Sequence, residues 1–303
     1  MSTPTREAVP RVFVLTAGLG TRLRPLTSEV PKPLLWVGDR PQVEHVFAQL
    51  RAAGVREVII NTHHLAEQFS EAWAARQALH VKTVFEPEIL GTGGALANAT
   101  TALGGGPVLL WNGDMYGSPD IAALVAKHEA TGASATLLVG PPSGRGTVGL
   151  DSLGFVRRVR AFDRRDEISA ADYLGVAIIG EQIRRRLRMP GCLVADGMIP
   201  SLEDGESIAT LQTRAPIMDI GSLAALLDVN LAWLAERGLS SWVHPEASVA
   251  SDVTLERVVV GPGAVVMGGG VLRDVLVLPD ARVDLATQTV ARSILAPRHT
   301  LSL

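Results

Sequence analysis

Residues 12–35 begin Val12-Phe13-Val14-Leu15-Thr16-Ala17-Gly18-Leu19-Gly20-Thr21-Arg22-Leu23-Arg24-Pro25-Leu26-Thr27 and close Pro31-Lys32-Pro33-Leu34-Leu35. A short apolar run of strand character feeds directly into a glycine turn. Gly18 and Gly20 let backbone N–H groups approach an anion closely, because no side chain intervenes. Arg22 and, ten residues later, Lys32 add full positive charge. The combination suggests a triphosphate site. Two common phosphate motifs do not account for it. A P-loop needs glycine immediately before Lys-Ser/Thr, and a dinucleotide fingerprint would need a third glycine where Leu23 stands.

Working outward, residues 11–140 alternate short apolar runs with longer amphipathic ones. Strands are expected at Val12–Leu15, Val58–Ile60, Val81–Phe85, Val108–Trp111 and Ala135–Val139. Helices are expected through Val43, Val46, Phe47 and Leu50, through Leu65, Phe69 and Trp73, and over Gly93–Leu103 and Ile121–His128. Repeated β-α-β units predict an α/β, Rossmann-like, mostly parallel mixed sheet with helices on both faces. Such sheets bind ligands beyond the carboxyl ends of their strands. The Gly18 turn and Asp114 each follow a strand and belong on that edge.

Residues 141–215 are less regular, with a hairpin at Val148–Leu150 and Phe155–Val159, a strand at Tyr173–Ile179, a helix at Ile183–Leu187 and a strand at Ile208–Thr213. Ser222 suits the N-cap of a helix faced by Leu223, Leu226, Leu227, Leu231 and Leu234 and stopped by Gly238. From Val243 aliphatic residues recur every six positions, at Val243, Val249 and Leu255. After a one-residue slip the period resumes at Val260, Val266, Leu272 and Leu278. A hexapeptide period is the signature of a parallel β-helix rather than of paired hairpins. Two coils or slightly more are expected, too few to stand alone, so the tail should pack on the first domain or on a partner subunit. The domains expected are 1–238 and 239–303.

The chain has 303 residues, 47% of them hydrophobic, enough for two domains with a large core. No apolar run approaches the ~20 residues of a membrane span. Met1–Pro10 is polar and lacks a leader's apolar core, so a cytoplasmic location and no membrane partner are expected. The lone Cys192 excludes an internal disulfide and any multi-cysteine metal site. A net charge of −3 with 4% aromatics argues against nucleic acid.

The stretch Gly18 to Thr27, followed by Pro31-Lys32-Pro33-Leu34, closely resembles the signature of the sugar-1-phosphate nucleotidyltransferases, the NDP-sugar pyrophosphorylases. Three further stretches agree in order. Glu88-Ile89-Leu90-Gly91-Thr92-Gly93-Gly94-Ala95-Leu96 looks like the family's base- and sugar-contacting loop. Asn112-Gly113-Asp114 looks like its first metal aspartate, and Met218-Asp219-Ile220-Gly221 its second. The tail is similar to the short left-handed β-helix of some branches, mannose-1-phosphate guanylyltransferases above all. The resemblance implies an NTP and a sugar 1-phosphate as substrates and Mg²⁺ as cofactor. It implies nucleotide contacts at Ala17, Gly18, Leu19, Gly20, Thr21, Arg22, Glu88, Gly91, Gly93 and Asn112. It places the sugar phosphate near Lys32, Gly113, Arg165 and Gly175.

The chemistry fits these residue types independently. In nucleotidyl transfer the attacking phosphate oxygen is already ionised, so no general base is needed. What is needed is charge stabilisation while two anions meet. Asp114 and Asp219 suit Mg²⁺, a hard cation that takes oxygen ligands. Arg22 suits a phosphate clamp and Lys32 a point charge, which with Asp114 are the expected catalytic residues. Blander roles exist: Asp114 as a turn former and Asp219 as a helix-start carboxylate. His63 and His64 lack the cluster a metal site needs. Arg184, Arg185, Arg186 and Arg188 read as a solvated helix face, and Trp73, Trp111, Trp233 and Trp242 as packing residues.

The chain departs from the family on the sugar side. Where many members have Phe-x-x-Lys-Pro, it has Phe162-Asp163-Arg164-Arg165-Asp166, and Leu174 replaces the usual Asn before Gly175. These departures bear on sugar identity, and a uridylyl- or thymidylyltransferase acting on another hexose or amino-sugar phosphate is the alternative. A silent NDP-sugar-sensing subunit would be expected to lose Arg22, Lys32 or an aspartate, and all are present. A β-helix acyltransferase needs many more coils and a catalytic histidine within them; His244 stands only at the tail's start. The open end of a short β-helix favours a homo-oligomer.

Overall fold

The computed structural model describes residues 9–303, so the reading of Met1–Pro10 falls almost wholly outside the described residues. The chain forms two compact units, one of residues up to Gly18 with Val46–Ile217, the other of Leu19–His45 with Met218–Leu303.

The first unit is built on one mixed sheet. Its parallel part has the order Val108–Asn112, Arg11–Leu15, Glu57–Thr62, His80–Phe85. Val108–Asn112, Arg11–Leu15 and Glu57–Thr62 are short aliphatic runs buried along most of their length, the pattern a sheet covered by helices requires, whereas the edge strand His80–Phe85 buries only Val81. The long strand Ser169–Ile179 lies antiparallel to Val108–Asn112 and carries the sheet on to Ala135–Gly140 and its parallel neighbour Ile208–Gln212. The sequence therefore located the strands well. The helices are more broken than the periodicity indicates. The segment 93–103 divides at Ala99 into Gly91–Asn98 and Thr100–Leu103, and the segment 65–73 is a 3₁₀ turn, Ala66–Phe69, followed by one α-turn, Glu71–Ala74. Val148–Leu150 and Val156–Val159 pair as the expected hairpin around Asp151 and Gly154.

One side-chain reading is overturned. Arg184 is not on a solvated face: it is buried, and its guanidinium donates to the carbonyls of Gly104 and Gly106 at 2.8 and 2.6 Å. Its neighbours behave as expected, Arg185 pairing with Glu181 and Arg186 with Asp204 and Glu206.

The second unit couples the Leu19–His45 segment to the helix Leu223–Glu236 and the tail. Ser222 caps that helix, accepting from the Ala225 N–H at 3.2 Å. Gly38, in a left-handed turn, lies flat against the Trp233 ring, and its N–H donates to Asn230 Oδ1 at 2.8 Å. The tail is a parallel β-helix. Trp242 pairs with Val259 and Leu255 with Leu272, both 17 residues on, and Leu272 pairs with Val290, 18 on. Inward residues form three stacks: Val243-Val260-Val277, Val249-Val266-Val283 and Leu255-Leu272-Val290. The one-residue slip is a corner at Arg257, φ +55°, and it repeats at Asp274, φ +55°. The inward residue after Leu272 is accordingly Val277, not Leu278. The stack runs on past the two coils or slightly more expected, because each corner resets the six-residue count and hides the continuation. Strand His299–Ser302 folds back antiparallel on the last coil. The outward ladder Trp242-Val259-Leu276-Ile294 faces the helix Leu223–Glu236, with Trp233 and Trp242 edge to face at 5.8 Å. Among the described residues no helix is long and apolar enough to cross a membrane.

Candidate active site

In the first unit the strand order reverses beside Arg11–Leu15, and the crevice of such sheets lies past the carboxyl ends there. Leu15 and Asn112 are register partners at that edge. The Gly113 N–H donates to the Leu15 carbonyl at 2.9 Å, and a Cβ on Gly113 would stand only 2.8 Å from that oxygen. Glycine at 113 thus brings Asn112 and the half-buried Asp114 against the start of the Ala17-Gly18 turn. Ala17 is buried, while Gly18 is exposed, and among the described residues nothing lies within 4 Å of its missing Cβ.

A buried polar chain supports this edge, and the sequence reading missed it. The Thr16 N–H donates to Asn61 Oδ1 at 2.7 Å, and the Thr16 hydroxyl to the Asn61 carbonyl. Asn61 Nδ2 donates to Glu86 Oε1 at 2.8 Å, and Glu86 Oε2 accepts from the Leu90 N–H at 3.2 Å. Glu86 is 1% exposed. It therefore ties the end of the central strands to the loop that carries Glu88. The available signal was Asn61, a polar residue ending an apolar strand, with a second acid two residues before Glu88. His63 joins here through its ring, with Nδ1 at 2.9 Å from the Glu86 carbonyl.

The loop itself is held by its glycines. Gly93 and Gly94 both donate to the Gly191 carbonyl, at 3.0 and 3.1 Å, and the Gly191 N–H returns a bond to Leu90. Gly91 has φ +73°, and a Cβ there would lie 2.6 Å from the same carbonyl. Glu88 is exposed on the loop.

Thr92 and Asn112 line a cavity of about 450 Å³ within this unit, together with Arg158, Arg160, Tyr173 and Cys192. Gly175, φ +72°, backs Asn112: its missing Cβ would fall 3.0 Å from Asn112 Nδ2. Arg165 stands elsewhere, exposed in a turn at φ +59°, its N–H bonded to the Asp163 carboxylate at 2.8 Å. Cys192 is half-buried. Burial opposes ionisation of its thiol, but the backbone N–H groups of Ala195 and Val194 and the nearby Arg160 outweigh it and hold the pKa below the usual value.

In the second unit the phosphate-turn candidates have their own frame. Gly20, φ +60°, starts the 3₁₀ turn Thr21–Leu23. The Thr27 hydroxyl donates to the Gly20 carbonyl at 2.9 Å, and Leu23, Leu26 and Thr27 are buried as anchors. Leu19, Thr21 and Arg22 are left exposed. Lys32 is buried, with Nζ 3.3 Å from Asp219 Oδ1. A Cβ on Gly221 would stand 2.5 Å from Asp219 Oδ2 and 2.9 Å from an Arg22 Nη, so Arg22, Lys32 and Asp219 gather over the face that Gly221 leaves open.

An α/β sheet with a glycine turn and an aspartate at carboxyl ends beside the switch point is a ligand-binding layout. The profile of the Nucleotidyl transferase family matches residues 11–163, and the chain belongs to that family. It is 27% identical over 310 aligned positions to a probable mannose-1-phosphate guanylyltransferase 2 of Arabidopsis thaliana, covering 95% of this chain and 83% of that one. It is 38% identical over 116 positions to the N-acetylmuramate alpha-1-phosphate uridylyltransferase of Neisseria meningitidis serogroup B, covering 37% of this chain and 50% of that one. The UDP-glucose pyrophosphorylase of Acinetobacter baumannii shares the fold, with a TM-score of 0.62 at 18% identity, over 76% of this chain and 94% of that one.

Proposed function

We propose that the protein transfers a nucleotidyl group from an NTP to a sugar 1-phosphate, giving an NDP-sugar and pyrophosphate, with GTP and mannose 1-phosphate as the pair. The observation that carries the reaction class is the gathering of Arg22, Lys32 and Asp219, the last two 187 positions apart in sequence. Two cations beside a carboxylate suit a site that handles phosphate together with a metal. The choice of pair is supported by the guanylyltransferase relative, whose similarity covers 95% of the chain and so extends into the tail.

In this reading an oxygen of the sugar phosphate attacks the α-phosphorus. The bond from that phosphorus to the bridging oxygen breaks, and its electron pair leaves on pyrophosphate. Arg22 holds the departing β- and γ-phosphates through its planar fork. Lys32, steadied by Asp219, offers a point charge to the reacting phosphates. Backbone N–H groups of the Ala17–Thr21 turn take the phosphate oxygens. Asn112 and the Glu88–Gly93 loop receive the nucleoside, and the cavity beside Asn112, which Gly175 backs, receives the sugar.

Mg²⁺ when bound neutralises phosphate charge. It is commonly held by one or two carboxylates together with substrate phosphates, and we assign Asp114 and Asp219 to it. The Asp219 side chain is 46% exposed, so its carboxylate is open to a hydrated cation.

A crossed panel of four NTPs against several sugar 1-phosphates, with and without Mg²⁺, tests the proposal by pyrophosphate release. The expected result is metal-dependent release, highest for GTP with mannose 1-phosphate. A best pair of UTP with an amino-sugar phosphate would overturn the pair and keep the reaction. No release from any pair would overturn the reaction itself.

A further inference from the structure

The cavity beside Asn112 holds two arginines in unlike situations. Arg158 is buried and engaged at all three nitrogens: its Nε donates to Glu167 at 2.6 Å, and its terminal nitrogens donate to the carbonyls of Gly146 and Arg145 at 3.3 and 2.9 Å. Arg160 is exposed, with its backbone at φ +49°. Among the described residues its guanidinium has one side-chain partner, the Cys192 thiol, 3.0 Å from Nη1. Sulfur is a weak acceptor, and a guanidinium presents five donors. A full cation thus stands at the wall of a ligand-sized cavity with most of its donors unspent.

Tyr173 is an independent sign of a polar ligand. The residue lines the same cavity, and among the described residues its buried hydroxyl has no hydrogen-bond partner. Buried hydroxyls are normally bonded, and one left alone is destabilising until something meets it.

We propose that Arg160 binds an oxyanion of the sugar substrate in this cavity, and that the Tyr173 hydroxyl bonds a sugar oxygen beside it. The proposal rests on the sugar-1-phosphate reading above. The oxyanion is the 1-phosphate or a carboxylate on the ring, since the guanidinium fork matches both.

The full chain is assayed as wild type, Arg160→Gln, Arg160→Lys and Tyr173→Phe, with mannose 1-phosphate and with a hexuronic acid 1-phosphate. Arg160→Gln should raise the sugar-phosphate KM about tenfold or more, the effect of losing a charged hydrogen bond, while the NTP KM moves less than about twofold. Arg160→Lys should recover part of the loss, and Tyr173→Phe should raise the same KM about threefold. Equal effects on both sugars identify the 1-phosphate as the oxyanion; an effect on the uronic acid alone identifies the carboxylate.

Cys192, the single cysteine, supplies a readout free of turnover. Iodoacetamide labels it as the thiolate displaces iodide. Sugar 1-phosphate alone should slow that labelling in the wild type and not in Arg160→Gln. An active wild type whose KM for both sugars is unchanged in Arg160→Gln overturns this proposal and leaves the transferase reading intact. A wild type that turns over nothing overturns the transferase reading, and the labelling then decides the role of Arg160.

Discussion

The protein has two glycine-rich turns that look alike in sequence and are built for different purposes. The Gly20 turn is closed by its own residues. Its carbonyl takes the Thr27 hydroxyl, and the nearest atoms to its missing Cβ are side-chain carbons of Thr27 and Lys32. The Gly91–Gly94 turn is a joint with a segment about one hundred residues further along, bonded to Gly191 and pressed on the backbone of Cys192 and Leu193. One turn uses glycine for a left-handed corner at Gly20 and leaves the surface at Gly18 bare. The other uses glycine to admit a second stretch of main chain. Composition cannot separate these uses, whereas what a Cβ would strike separates them at once.

The sharpest way to break the comparison is Gly93→Ala. The new Cβ would stand 2.8 Å from the Cys192 carbonyl carbon and the Leu193 nitrogen, both backbone and unable to swing aside. Alanine favours the helix by about 1 kcal/mol, but overlap with fixed backbone belongs at the top of the about 1–3 kcal/mol that overpacking costs, so a net loss of about 2 kcal/mol is expected. The midpoint of urea unfolding measures it. An unchanged midpoint would mean that the joint is loose and that the turn is no different from the one at Gly20.

Glu86→Gln is the next largest. The amide oxygen can still accept from Asn61, but the amide nitrogen then faces the Leu90 N–H, donor against donor. A buried donor left unpaired costs about 1–3 kcal/mol. The same unfolding measurement applies, and turnover should fall with it because the Glu88 loop loses its anchor. Full stability in this variant would show that the joint at Gly191 holds the loop without Glu86.

Much of this was legible because it is local. The Val12–Thr27 stretch, the Ser222 cap and the hexapeptide tail each announce themselves within about twenty residues, through periodicity and cap chemistry. What was hidden depends on partners far away in sequence. Glu86 is an ordinary loop acid until Asn61 and Leu90 close on it. Arg184 sits among arginines and reads as solvated, yet two glycine carbonyls draw it inside. Val277 was displaced to Leu278 because the corner at Asp274 consumes one residue, and left-handed backbone at an aspartate leaves no mark on a hydrophobic pattern. The cavity was the least visible feature. Arg160, Tyr173 and Cys192 converge from a turn, a strand and a loop, and nothing in their spacing predicts it.

Gly18→Ala is the smallest perturbation of the fold and tests the bare-surface side of the comparison. Gly18 is not in the left-handed region, and among the described residues no atom lies within 4 Å of where its Cβ would be. The substitution should change stability by less than about 0.5 kcal/mol, as surface changes without strain do. If the residue is glycine only because a phosphate must come close to its backbone, the added methyl will meet the ligand and nothing else. The NTP KM should then rise about tenfold, a loss near 1.4 kcal/mol, with the sugar-phosphate KM little changed. A KM equal to wild type would mean that the ligand does not approach Gly18, and the anion-binding surface would have to begin later in the turn, at Gly20.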